Sequence, residues 1–337
     1  MKPILFLQTG GTIGSVSDHG IIRTGSASCH ALDLYRRICK TDISFEIVPL
    51  MDILSENLQK QHWLRIIRYL LQKDLSPYSG IIITHGSDTL SYSSAMLGLC
   101  LHHLPIPVIL TAADRIPDDP QSNALINLHT SVRLIQHISN GVFTVYKNPA
   151  SSVCQIYLAT QIQEADRFVG AFSSPFGKCF GIMENDELIF LQNDLIPKLS
   201  QKSFSPLDTT DLTLDQDILL LHPYPGLDYR SITLSDKCKG VMHITYHSSS
   251  ACADGDNSAF SLLSRCQQRH IPFYLASFPK NADSRYESAD ILLKNGALPI
   301  PHCTNESAYA KLLLCMNLFP ERYDQLMQEN WYWEYLP

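Results

Sequence analysis

Two short segments of this 337-residue chain carry side chains suited to acyl-transfer chemistry. The first is Gln8-Thr9-Gly10-Gly11-Thr12-Ile13-Gly14, which follows an apolar run at residues 4–7. Adjacent glycines let a backbone approach a ligand closely or take positive φ. The Thr12 hydroxyl then stands at the C-terminal end of a strand, where open α/β sheets bind ligands. A phosphate loop is the competing reading, but neither G-x-x-x-x-G-K-S/T nor G-x-G-x-x-G is present. Taken alone, the segment also reads as a tight strand-to-helix turn with an idle threonine. The second segment, Thr84-His85-Gly86-Ser87-Asp88-Thr89, follows the apolar run at residues 80–83. It supplies a hydroxyl and a carboxylate at another strand end. Alone, Ser-Asp-Thr reads equally as a helix cap and first turn.

Together the segments are far more specific. Thr-Gly-Gly-Thr-Ile near the N-terminus, and His-Gly-Ser-Asp-Thr roughly 75 residues later, resemble the two signature segments of the bacterial-type asparaginase/glutaminase family, in its type I-like branch. The resemblance continues in Ser55, eight residues before Trp63, and in Leu110-Thr111-Ala112-Ala113-Asp114-Arg115. It extends through Ser122-Asn123-Ala124 and Asn127-Leu128 to Tyr286-Glu287-Ser288-Ala289, Asn295-Gly296-Ala297 and residues 304–314. It therefore spans nearly the whole chain.

The resemblance implies a two-step amide hydrolysis without a cofactor. Thr12 would attack the side-chain amide carbon, release ammonia and leave an acyl-enzyme ester for water to hydrolyse. A free threonine is a weak nucleophile and needs activation. By resemblance, Ser87 matches the family's second hydroxyl, where threonine is usual, and Asp88 matches its aspartate, which also grips the substrate's α-ammonium. Ser55, with Glu56 beside it, would contact the α-carboxylate. Backbone N–H groups near Ala112 and Ser87 would polarise the amide oxygen, and Gly11 is a further substrate-binding position.

Three departures qualify this expectation. The family's lysine lies about nine residues before an Ala-Phe pair; counting back from Ala171-Phe172 reaches Gln163, or Glu164 with a slip of one. Gln163 cannot act as a general base, whereas Glu164 can if buried and raised in pKa. Lys147 and Lys178 are the nearest lysines in sequence and read as surface residues. Ile21 or Ile22, within Asp18-His19-Gly20-Ile21-Ile22-Arg23, falls where the family places a loop tyrosine. Tyr246-His247-Ser248-Ser249-Ser250 replaces a Gly-Asn-Gly-Asn-like turn. Three functions stay open: an asparaginase, an asparaginase-like enzyme retuned to another amide, ester or peptide, and an impaired scaffold that binds an amino acid.

Apolar runs at residues 45–49, 80–83, 107–110 and 142–146 read, with residues 4–7, as buried strands of a parallel sheet. Helical patterns at 31–39, 59–73, 90–101 and 122–139 alternate with them. In the second of these, Trp63, Ile66, Ile67, Leu70 and Leu71 share one face. The expected class is α/β: a larger N-terminal domain, residues 1–190, with a doubly wound, mostly parallel sheet, a linker at 191–212, and a smaller α/β domain at 213–337. In the second block, 218–222, 241–246, 273–276 and 297–300 read as strands. Residues 257–268 and 305–318 read as helices, the last capped by Thr304 or Asn305.

Composition narrows the partners. A net charge of −7 and the absence of a basic run argue against nucleic acid. No apolar run approaches the ~18 residues of a membrane span, and the short run at residues 4–7 is not a signal-peptide pattern. Ten cysteines without a C-x-x-C pair read as reduced thiols of a cytoplasmic protein. His62, His85, His102, His103 and His247 form no metal-binding spacing. The expected partners are a small amino-acid or amide substrate and further copies of the chain, as a homodimer or homotetramer.

Overall fold

The computed structural model describes residues 2–18, 21–24, 30–39, 42–199, 212–278 and 285–336. The chain divides into two compact units, Met1–Thr210 and Asp211–Pro337. The linker expected at 191–212 lies mostly outside the described residues; the part described contains a short turn of 3-10 helix, Ile196–Lys198.

In the first unit, β1 (Ile4–Gly10) leads through a hairpin of β2 (Ser15–Asp18) and β3 (Ile21–Thr24) to α1 (His30–Cys39). There follow β4 (Phe45–Ile53), α2 (Lys60–Gln72), β5 (Gly80–Thr84), α3 (Leu90–Leu101), β6 (Val108–Thr111), α4 (Ala124–His137) and β7 (Val142–Tyr146). The five strands β4-β1-β5-β6-β7 are parallel neighbours in that order. Helix α1 packs against α4 and α2 against α3. With helices on both faces, β5, β6 and β7 are buried along their full length, which is why they read as unbroken apolar runs. The amphipathic face of α2 buries Trp63, Ile66, Ile67 and Leu70.

The strand order fixes where a ligand can sit. From β1 the chain moves to β4 on one side, then crosses to β5 on the other. That reversal leaves a crevice between the C-terminal ends of β1 and β5, the switch point of a doubly wound sheet.

Beyond β7 the sheet continues antiparallel through β8 (Cys154–Leu158), β9 (Gly181–Glu184) and β10 (Glu187–Phe190). Sequence patterning does not expose this extension. Its strands are short, and β10 alternates exposed and half-buried residues. The β9–β10 turn uses Asn185 and Asp186, both at positive φ (47° and 66°), a two-residue hairpin geometry for which Asn-Gly or Asp-Gly is the stronger signal.

The second unit is a four-stranded parallel sheet of β11 (Asp217–Leu221), β12 (Cys238–Ile244), β13 (Phe273–Phe278) and β14 (Leu298–Pro301), in that order. Its helices are α5 (Ala259–Gln268), α6 (Glu287–Lys294), α7 (Asn305–Leu318) and the single turn α8 (Tyr323–Leu326). Thr304 caps α7 by accepting a bond from the Ser307 N–H at 3.1 Å. Helix α6, only 8 residues long, is absent from the sequence reading.

A fully buried ion pair fastens the C-terminal segment to α7. Lys311 Nζ lies 2.7 Å from Glu334 Oε1, and both side chains have 0% exposure. The ammonium also donates to the Glu329 carbonyl and sits 4.2 Å from the Tyr335 ring centroid. Glu334 accepts from the Trp331 and Tyr332 N–H groups. Removing one buried charge strands the other, so Lys311→Met should cost about 3–5 kcal/mol in denaturant unfolding. Lys311→Met combined with Glu334→Gln should recover much of that loss.

Candidate functional site

The two sequence segments meet at the switch point because their glycines remove the atoms that would keep them apart. Gly11, at φ +85°, lies so close to His85 and Gly86 that a Cβ would collide with the His85 carbonyl. Gly10, at φ +110°, abuts the Ile53 backbone in the same way. Gly86 faces Ser55, whose Cβ lies 2.6 Å from where a Gly86 side chain would begin. The ends of β1, β4 and β5 therefore interlock through three glycines.

The preceding threonines fasten the same strands. The Thr9 hydroxyl donates to the Thr84 carbonyl at 2.5 Å, and the Thr9 N–H donates to Thr84 Oγ1 at 3.4 Å. The His85 N–H donates to the Thr111 carbonyl at 2.8 Å, tying β5 to β6.

Ser55, 5% exposed, opens a 3-10 turn just past β4. Its hydroxyl donates to Asp88 Oδ2 at 3.3 Å, and its carbonyl accepts from Thr89 Oγ1 at 3.0 Å. Asp88 itself is exposed and Ser87 half-buried. Thr12, half-buried, begins a 3-10 turn one residue past the Gly11–His85 contact. Ser87 stands one residue past Gly86, so the two hydroxyl-bearing residues flank one backbone junction. Glu56 is exposed next to Ser55. Ala112 follows β6 directly, fully buried, with its carbonyl accepting from Asn127 Nδ2 at 2.9 Å. Thr12, Ser55, Ser87, Asp88 and Ala112 thus stand at the C-terminal ends of four neighbouring strands.

Behind Ser87 runs a buried hydrogen-bond chain whose direction is fixed. The Gly86 carbonyl can only accept, so His85 Nδ1, 2.8 Å away, carries the proton. His85 Nε2 is then an acceptor and takes the Ser93 hydroxyl proton at 2.8 Å. Ser93 Oγ in turn accepts from Trp63 Nε1–H at 2.8 Å. Burial depresses the His85 pKa, which keeps the imidazole neutral as this arrangement requires. The chain links α2 and α3 to the carbonyl of Gly86 and so steadies the turn that carries Ser87 and Asp88. Neither Trp63 nor Ser93 has a sequence pattern that marks this role.

Gln163 and Glu164 are the residues that the resemblance sets against the family lysine. Gln163 pairs with Ser173 across an isolated bridge, and its Oε1 accepts from Ser173 Oγ at 3.2 Å. Glu164 is exposed. Lys147 faces a separate cavity lined also by His129, Cys154 and Asp186, and Lys178 is exposed. Within the loop where a tyrosine is usual, Ile21 and Ile22 open β3, and His19 and Gly20 lie outside the described residues. In the second unit Ser248 and Ser250 hydrogen-bond to one another at 2.9 Å. Among the described residues, no group of three or more His, Cys, Asp or Glu side chains is placed to hold a metal. Nor is any helix there long and apolar enough to cross a membrane.

Removing the Ser93 hydroxyl leaves two buried polar groups unpaired. Ser93→Ala should cost about 1–3 kcal/mol in denaturant unfolding. Because the His85 pKa is depressed by folding, its stabilisation is complete above the unfolded value of about 6.5 and is lost as pH falls below it. An acid-side decline that His85→Gln does not flatten would contradict this role.

Residues 3–195 match the family described as "Asparaginase, N-terminal". A glutamyl-tRNA(Gln) amidotransferase subunit of Methanosphaera stadtmanae is 26% identical over 326 residues, covering 93% of this chain and 71% of its own length. The subunit of the same name from Pyrococcus horikoshii is 25% identical over 334 residues, covering 93% and 72%. Among solved structures, the thermostable L-asparaginase from Thermococcus kodakarensis superposes with a TM-score of 0.79 at 23% identity, covering 99% of both chains. L-asparaginase I from Vibrio cholerae gives 0.77 at 19% identity, covering 100% of both. At those identities the structural likeness speaks for the fold, and the match over residues 3–195 speaks for descent: the chain belongs to the asparaginase family.

Proposed function

We propose that the chain is an amidohydrolase that cleaves the side-chain amide of asparagine or a close relative through an acyl-enzyme on Thr12. The observation that carries this reading is the Ser55–Asp88 hydrogen bond, 3.3 Å long, beside the interlocked Gly11 and Gly86 at the β1–β5 crevice. One carboxylate and one hydroxyl at a ligand-binding strand end suit the α-ammonium and α-carboxylate of an amino acid. Thr12 then attacks the amide carbon, its proton ends on the departing nitrogen, and water hydrolyses the ester. Ser87 and Asp88 assist proton movement, Glu56 lies at the α-group end, and N–H groups at Gly11, Ser87 and Ala112 face the developing oxyanion.

A second reading, an amino-acid-binding scaffold of low activity, is favoured by the Gln163–Ser173 pairing at the lysine position. The proposal therefore takes the enzyme to be slow. Self-assembly as a homodimer or homotetramer belongs to the same reading. Relatives named as amidotransferase subunits support a different protein partner as the alternative.

An ammonia-release assay across asparagine, glutamine and peptide amides separates the two. Thr12→Ala should abolish turnover, and Gln163→Lys should raise it by about 10²–10⁴-fold, the usual contribution of a proton-transfer group. No turnover of any amide, together with an asparagine-induced rise in melting temperature that Asp88→Ala removes, would favour the scaffold.

A further inference from the structure

A cleft of about 380 Å³ adjoins the proposed site, and Gly11 and Gly14, on either side of Thr12 in the chain, both line it. Gly10, Gly11 and Gly14 form one wall, the end of β4 a second, and the start of α2 a third. Its volume falls within the range of small-molecule sites.

The polar groups facing this cleft are unusual for an idle surface groove. Arg65 and Asp52 both line it, both are exposed, and neither forms an ion pair among the described residues. Gln8, 9% exposed, also lines the cleft. His62 accepts the Gln59 N–H at Nδ1, at 2.9 Å, so its neutral ring carries the proton on Nε2 and offers a donor there. The cleft thus combines a guanidinium and an imidazole N–H, which suit a carboxylate, with a free carboxylate, which suits an N–H or ammonium group. This is the complement of an amino-acid unit. Gly14 has ordinary backbone geometry, and a Cβ there would meet nothing within 4 Å, so the wall next to Thr12 stays open.

Ser55 and Asp88 suit the α-groups of the acyl half, and Gly14 lies two residues past Thr12 on the cleft side. The group leaving Thr12 toward the cleft is therefore the amine half of the amide. We propose that the cleft is a leaving-group subsite, and that the preferred substrate is an N-substituted side-chain amide, such as a β-aspartyl amino acid, whose amine half carries its own carboxylate. This rests on the amidohydrolase reading above. The Thr12 oxygen forms the ester bond, the C–N bond breaks, and the Thr12 proton leaves on the released amino acid's nitrogen. Water then cleaves the ester to give aspartate, so no co-reactant besides water is needed.

The test compares kcat/KM for asparagine, β-aspartyl-alanine and β-aspartyl-alaninamide in the full chain, its Arg65→Leu variant and its Gly14→Leu variant. The account expects β-aspartyl-alanine to exceed both others by at least about 10-fold, the value of one charge-assisted contact. Arg65→Leu should erase the advantage over the alaninamide through KM, and Gly14→Leu should lower β-aspartyl-alanine relative to asparagine. Asparagine preferred, or all three substrates shifting equally in both variants, overturns the subsite. If no amide is turned over, the amidohydrolase reading has failed, and binding decides the cleft. A melting-temperature rise with β-aspartyl-alanine that Arg65→Leu abolishes upholds it, and the absence of any rise overturns it.

Discussion

The close approach of Gly11 to the His85–Gly86 peptide is the contact on which the rest of the site depends. Without it, β1 and β5 would still pair through their apolar interiors, but their ends would splay. The hydroxyl segments, 75 residues apart in the chain, would then not share a mouth. The requirement is steric: at Gly11 both a positive φ and the absence of Cβ are needed. Everything behind the junction holds it still. The threonine pair Thr9–Thr84 closes the strand gap, and the Trp63–Ser93–His85 chain fixes the Gly86 carbonyl. The turns that carry the candidate site residues are thus anchored by strand ends and buried polar bonds.

Much of this arrangement is legible in the sequence, and the reasons are physical. Strands β5, β6 and β7 are buried on both faces, so they appear as continuous apolar runs. Helix α2 turns one apolar stripe to the core and shows it at helical spacing. The glycine pair announces a backbone constraint, and Thr304 announces a cap. The two-domain α/β class follows from those signals and agrees with the mostly parallel sheet of the first unit and the parallel sheet of the second.

Other features leave little trace. Strands β8–β10 depend on antiparallel pairing to a sheet edge, which no local pattern specifies. Ser93 reads as an ordinary helical serine, yet it joins an indole N–H to an imidazole nitrogen. Arg65 reads as the solvent face of α2, and only the end of β4 beside it makes that face a cleft wall. The family resemblance leaves Gln163 or Glu164 at the lysine position. In the structure Gln163 is engaged by Ser173 and Glu164 is exposed to solvent.

The central claim is that Thr12, at the β1–β5 crevice, takes the acyl group. Intact-mass and peptide-mapping analysis of rapidly quenched mixtures with asparagine or β-aspartyl-alanine tests it most directly. The account predicts a transient aspartyl ester on the peptide containing Thr12, formed before the first turnover is complete and absent in Thr12→Ala. An ester on another residue, or full turnover by Thr12→Ala, would contradict it.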